Sequence, residues 1–243
     1  MRRTALITGG SSGIGAAIAR RFGYDGIRVL VHYRGGEQAA AGVVSDIEAA
    51  GGEAFAVEAN VADSRAAPDL FDLAEARFGS VDILVNCAGI LQEAPLAEVS
   101  DEMFEMVLAV NLYGSFHTMR EAARRMKQGG RIVNVSSSEL SLNMPGYSSY
   151  NATKGAVEAI TRVLAKELGP KGITVNAVAV APGSAECDSH VDRRGGILWR
   201  GSNDRAYRHC YPADDIVGLV KFLASEKAGW IHGQILRAHE AVT

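Results

Sequence analysis

Cysteine is scarce: Cys87, Cys187 and Cys210 are the only three in 243 residues, and no C-x-x-C pair is among them. That usage excludes a disulfide framework and a zinc site, and it suits reduced thiols in a cytoplasmic setting. A charge excess is also missing. With a net charge of −3 the chain lacks the basic surface that nucleic acid or an anionic membrane requires, so neither is expected as a partner. No apolar run approaches the length of a membrane span. The short apolar stretch after Met1-Arg2-Arg3 runs directly into glycines, so no export signal is expected.

What the chain does have is alternation. Short β-rich runs at Thr4–Thr8, Ile27–Tyr33, Ala54–Glu58, Ile83–Asn86, Arg131–Ser136, Ile173–Val180 and Gln234–Arg237 alternate with longer helical patterns. The latter lie at Ile14–Tyr24, Glu37–Ala50, Pro68–Phe78, Asp101–Lys127, Tyr150–Leu168 and Ala213–Ala224. Several strand runs are rich in Val and Ile without a polar alternate, as strands covered on both faces are. The pattern predicts right-handed βαβ units: one α/β, doubly wound parallel sheet of about seven strands, with helices on both faces. No linker or internal repeat divides residues 1–243, so a single Rossmann-type domain is expected. The segment 184–211 stands apart: it is long, polar and weakly periodic, and it carries five arginines. Its place after a late strand makes it the candidate substrate lid.

The first strand leads into Gly9-Gly10-Ser11-Ser12-Gly13-Ile14-Gly15 and then an amphipathic helix. Glycines let a backbone turn sharply and come close to a pyrophosphate, and the helix N-terminus adds free amides and a favourable dipole. Taken alone, such a strand–helix turn is often no more than a turn. Together with Asn86-Cys87-Ala88-Gly89, however, Thr8–Gly15 resembles the short-chain dehydrogenase/reductase family, and the likeness runs along essentially the whole chain.

The resemblance extends to Tyr150-Asn151-Ala152-Thr153-Lys154, the family's Y-x-x-x-K motif. Residues i and i+4 share a helix face, so the ammonium lies near the phenol. A cation there favours phenolate and makes the pair an acid/base unit. Family members place a serine about a dozen residues before this tyrosine; thirteen positions back stands Ser137, which the spacing selects from Ser136-Ser137-Ser138. A hydroxyl there suits the substrate oxygen on which negative charge develops. Asn111 matches the family's helix asparagine, which serves the proton relay to the lysine. Tyr147 has Asn151 four residues later, so it is not the motif tyrosine. The resemblance thus implies catalytic Asn111, Ser137, Tyr150 and Lys154, with Tyr150 and Lys154 also contacting the cofactor, Lys154 at the nicotinamide ribose.

Cofactor contacts implied in the same way are Gly9, Ser11, Ser12, Gly13, Ile14, Gly15, Tyr33, Arg34, Asn60, Val61, Asn86, Ala88, Gly89, Pro182 and Gly183. An acidic residue usually ends the second strand where NAD is used. Here Tyr33 takes that place and Arg34 follows, and a guanidinium matches a 2′-phosphate, so NADP(H) is favoured over NAD(H). Ser12, where many NADP enzymes carry a second basic residue, and the nearby Glu37 weigh the other way.

The chain departs from the family at Asn60, usually aspartate, and in two extra residues before Pro182-Gly183. It departs again at Cys187, often threonine, and in the ending Leu236-Arg237-Ala238-His239-Glu240-Ala241. The function implied is hydride transfer between the nicotinamide and a small-molecule carbonyl/alcohol pair, similar to 3-oxoacyl-carrier-protein reductases and related ketoreductases. The alternatives are an alcohol dehydrogenase running oxidatively and a weakly catalytic nucleotide-binding subunit or sensor. A homo-oligomer, a tetramer by resemblance, is expected.

Overall fold

The computed structural model describes residues 2–180 and 213–238. Seven parallel strands form one sheet in the order β3-β2-β1-β4-β5-β6-β7. They are β1 (Thr4–Thr8), β2 (Arg28–Tyr33), β3 (Ala54–Glu58), β4 (Ile83–Asn86), β5 (Arg131–Ser137), β6 (Thr174–Val180) and β7 (Ile235–Ala238). The chain winds outward from β1 to β3, then returns beside β1 to begin β4 and winds the other way. The crevice of a doubly wound sheet lies at that reversal, outside the carboxyl ends of the strands.

The eight helices among the described residues are α1 (Gly13–Tyr24), α2 (Glu37–Ala49), α3 (Ala66–Phe78), α4 (Asp101–Val107), α5 (Gly114–Arg125), α6 (Glu139–Leu142), α7 (Ser148–Leu168) and α8 (Ala213–Ala224). Side chains alternate across the sheet, so each strand feeds two cores. Ala5, Ile7, Val29, Val31, Val85 and Val133 pack with Ile18 and Phe22 of α1 and Val220 of α8. Leu6, Leu30, Leu84 and Ile132 pack on the opposite face with Phe71 of α3, Met119 of α5 and Leu164 of α7. Both faces are covered, which is why the strand sequences read as unbroken apolar runs.

The expected helix 101–127 is interrupted. Leu108–Tyr113 forms a π-helical turn between α4 and α5, and the helical run ends at Arg125. A π turn holds one residue more than an α turn and often marks a functional position. Here it carries Asn111, whose side chain bridges to the loop after β4: Nδ2 donates to the Ile90 carbonyl at 2.9 Å, and Oδ1 accepts from the Ile90 amide at 2.8 Å. Two further bounds moved in a way that bears on the site. β5 runs one residue beyond expectation, to Ser137, and α7 starts at Ser148, which puts Tyr150 in its first turn. The lid expected at 184–211, and Pro182, Gly183 and Cys187, lie outside the described residues.

Candidate active site

Thr8, Tyr33, Asn86 and Ser137 end β1, β2, β4 and β5, so sheet register alone gathers the candidate residues along one edge of the sheet. Thr8 ties the centre together: its Oγ1 accepts from the amides of Cys87 and Ala88, each at 3.1 Å. Asn86 holds the same place from beneath. Its Nδ2 donates to Asn134 Oδ1 at 2.9 Å, its Oδ1 accepts from Thr118 Oγ1 at 2.6 Å, and Asn134 passes the chain on to Thr161 at 2.8 Å. These buried polar groups satisfy one another, which rigidifies the strand ends.

The glycine loop folds back on itself. Gly9 adopts φ +65°, and a Cβ on Gly15 would stand 2.1 Å from the Gly9 carbonyl oxygen. The Ser12 side chain makes no cap bond to α1, and the Gly13 and Ile14 amides at the helix start accept no intrahelical role. Free amides at a helix N-terminus, reached across a surface without Cβ atoms, fit a pyrophosphate. Cys87 lies behind this loop. Burial pushes its thiol up to about 11, against the pull of Lys154 and the Gly15 amide, so it stays protonated.

His32, which the sequence reading passed over, clamps the loop from below. It is buried; its Nδ1 accepts from the Gly9 amide at 3.1 Å, and its Nε2 donates to the Ala59 carbonyl at 3.1 Å. Burial lowers its pKa, outweighing the bond to Ala59, so the ring is neutral. The unfolded chain therefore binds this proton more readily than the folded one. Stability present above the ordinary histidine pKa is lost as the pH falls below it. Replacing His32 by Asn should flatten the decline in melting temperature between about pH 7.5 and 5. An unchanged slope in that variant would show that His32 does not carry the effect.

At the end of β2, Arg34 is exposed beside the buried Tyr33. Acids stand close. Glu58 Oε1 accepts from the Gly35 amide at 3.1 Å, and burial together with the charges of Glu37 and Glu58 raises the Tyr33 pKa. Asn60 is exposed with its Oδ1 turned to the Ala62 amide, and Val61 is buried against Gly114.

The three serines at the end of β5 are sorted by their partners. Ser136 donates to Glu158 at 2.8 Å and Ser138 to the Val180 carbonyl at 3.1 Å. Ser137 instead accepts from the Glu139 amide at 3.2 Å, which leaves its own O–H proton to donate elsewhere. Lys154 is buried, and its Nζ donates to the Val135 carbonyl at 2.8 Å and lies 5.5 Å from the centre of the Tyr150 ring. A Cβ on Gly89 would meet both Asn111 Oδ1, at 3.4 Å, and Lys154 Nζ, at 3.6 Å. Asn111 also reaches Thr153 Oγ1 at 3.3 Å. The fold thus brings Tyr150, Lys154, Asn111 and Gly89 to one place, with Ser137 two residues beyond the Val135 carbonyl that holds Lys154. Tyr147 is buried as a wall, edge-on to Tyr150 at 6.4 Å between ring centres. Among the described residues no group of three or more His, Cys, Asp or Glu side chains is placed to hold a metal, and no helix is long and apolar enough to cross a membrane.

Comparison with known proteins agrees with this fold. The family described as enoyl-(acyl carrier protein) reductase matches residues 9–240. An uncharacterized oxidoreductase of Methylorubrum extorquens is 38% identical over 242 residues, covering 99% of this chain and 97% of the relative. The structure of landomycin C-6 ketoreductase LanV with bound NADP and rabelomycin is similar with a TM-score of 0.84 at 37% identity, over 98% of this chain and 94% of that one. A short-chain dehydrogenase from Burkholderia cenocepacia J2315 in complex with NADP is similar with a TM-score of 0.85 at 35% identity, over 98% and 96% of the two chains.

Proposed function

This chain belongs to the short-chain dehydrogenase/reductase family, and from that premise we propose that it is an NADP(H)-dependent ketoreductase acting on a small-molecule carbonyl. The observation that carries the reading is an unspent Ser137 hydroxyl on the same strand end whose Val135 carbonyl anchors Lys154 of the Tyr150–Lys154 pair. When bound, a nicotinamide would supply or accept the hydride.

The chain's own residues do the rest. Ser137 donates to the substrate oxygen and holds it where charge develops. Tyr150 exchanges a proton with that oxygen. Lys154, tethered to the Val135 carbonyl, keeps a fixed positive charge beside the phenol. Asn111 is a positioning residue that joins the loop after β4 to α7 through Ile90 and Thr153. The Gly13 and Ile14 amides would hold the pyrophosphate, and Arg34 would meet the 2′-phosphate. The NADP found in the landomycin ketoreductase and in the Burkholderia dehydrogenase supports the choice of cofactor. The test is NADPH consumption against a panel of ketones, β-keto thioesters and sugar ketones. NADPH that binds but is oxidised by none of them would overturn the reading.

Arg34→Ala should weaken NADPH binding by the worth of one charge-assisted contact, about 1.5–3 kcal/mol, and spare NADH. Fluorescence titration gives both dissociation constants; equal losses would mean that Arg34 does not read the phosphate. The expected homotetramer belongs to the same proposal. Phe104, Met106, Tyr113 and Phe116 stand exposed along the α4–α5 run, and Val163 on α7, more apolar surface than one sheet contact explains. Light scattering that returns a monomer at micromolar concentration would remove this part.

A further inference from the structure

Glu139 starts α6, two residues after Ser137, and is 2% exposed. Neither of its carboxyl oxygens has a hydrogen-bond partner. A buried carboxyl left unbonded is costly, so it calls for an explanation. Burial and the nearby charge of Glu93 push its pKa up to about 6.

The backbone around it is firmly held. The Glu139 amide donates to Ser137 Oγ, and its carbonyl accepts from the Asn143 amide at 3.0 Å and from Asn151 Nδ2 at 3.1 Å. By turning its nitrogen toward Glu139, Asn151 leaves its own Oδ1 buried without a partner. Asn151 and Glu93 both line a cavity of about 790 Å³ whose wall also includes Leu96, Met144 and Pro145. Glu139 is not itself part of that wall; Asn151, bonded to its carbonyl, joins it to the cavity, while its amide joins it to Ser137. Buried acceptors therefore gather between Ser137 and the cavity, and no described residue supplies them with a donor.

We propose that Glu139 is a specificity-determining residue that accepts a hydrogen bond from a hydroxyl carried by the substrate in addition to its reacting carbonyl, so that hydroxylated ketones are preferred. The inference rests on the ketoreductase reading above. A hydroxyl can donate to the Asn151 carbonyl or to Glu139 in either protonation state, because a protonated carboxyl keeps an acceptor oxygen. A site built to bond a substrate hydroxyl rejects the analogue that lacks it, since the site's own polar groups are then left unpaired.

Matched pairs test this: acetoin and its methyl ether, and the meta- and para-hydroxyacetophenones with their methoxy counterparts. In at least one pair the native enzyme should favour the hydroxy member in kcat/KM by about tenfold or more. Glu139→Leu should bring that ratio to within about twofold, and Glu139→Gln, which keeps a neutral acceptor, should leave an intermediate ratio. The backbone bond from residue 139 to Ser137 persists in both variants, so a merely structural role would lower both members of a pair together and leave the ratio unchanged. Circular dichroism and melting temperature check folding; if the Leu variant does not fold, the Gln variant and the native ratio decide. Equal efficiency on both members of every pair, or a native ratio retained in both variants, would overturn the role of Glu139. NADPH binding with no reduction of any ketone would instead overturn the ketoreductase reading, and this inference with it.

Discussion

Tyr150→Phe is expected to abolish turnover while the protein folds and binds NADPH as before. The change removes one hydroxyl and keeps the ring, so the edge-on contact with Tyr147 survives and no cavity opens. Lys154 keeps its bond to the Val135 carbonyl, because that bond does not pass through the phenol. What disappears is the only proton-exchanging group assigned to the substrate oxygen. Ordinary acid–base assistance is worth roughly 10²–10⁴ in rate, and the loss should meet or exceed that range if no other donor reaches the oxygen. Single-turnover oxidation of NADPH with a ketone from the panel measures it, beside a fluorescence titration of the cofactor. Substantial residual turnover would remove Tyr150 from its role.

Gly15→Ala should cost nearly all cofactor binding. On helix propensity alone the change is favourable, since alanine is better than glycine inside a helix by about 1 kcal/mol. The geometry decides against it: the new Cβ would lie 2.1 Å from the Gly9 carbonyl oxygen, backbone against backbone, with Gly10 Cα at 3.3 Å behind it. No side chain can swing aside, so the loop itself must move. Gly9 in turn has no room, because a Cβ there would stand 2.9 Å from the Ala88 backbone. Overpacking of this kind costs about 1–3 kcal/mol in stability or more, and it pulls the Gly13 and Ile14 amides out of place. A fall of about a hundredfold or more in NADPH affinity, with a lowered melting temperature, is the expected outcome. Native affinity in this variant would show that the loop is not where the pyrophosphate sits.

The fold was legible because its signals are local. Unbroken Val/Ile strand runs alternating with amphipathic helices are written over a few residues each, and the rules of parallel sheets leave few ways to assemble them. The Tyr150–Lys154 pair was equally legible, since i and i+4 meet on any helix. Spacing also singled out Ser137, although the reason it differs from Ser136 and Ser138 is not a matter of spacing. Those two spend their protons on Glu158 and Val180, partners that only the β5–β6 register and the packing of α7 bring within reach.

The same holds for what the sequence reading missed. In the sequence His32 is one more residue of the strand run Ile27–Tyr33. Its role as a clamp depends on Gly9 and Ala59, which lie 23 and 27 positions away along the chain and become neighbours through the pairing of β2 with β1 and β3. The π turn at Asn111 carries a bridge to Ile90, 21 residues distant, and nothing in the local helical periodicity marks it. Glu139 reads locally as an ordinary first-turn acid of a helix; only burial beside Ser137, with both oxygens unpartnered, sets it apart. Periodicity and short spacing are properties of a segment and survive in the linear chain. Hydrogen-bond partnership and burial are properties of residue pairs brought together from far apart, so for this protein the sequence by itself determined the sheet, its helices and the acid–base pair, while the tertiary structure alone decided which polar groups are spent and which remain for a ligand.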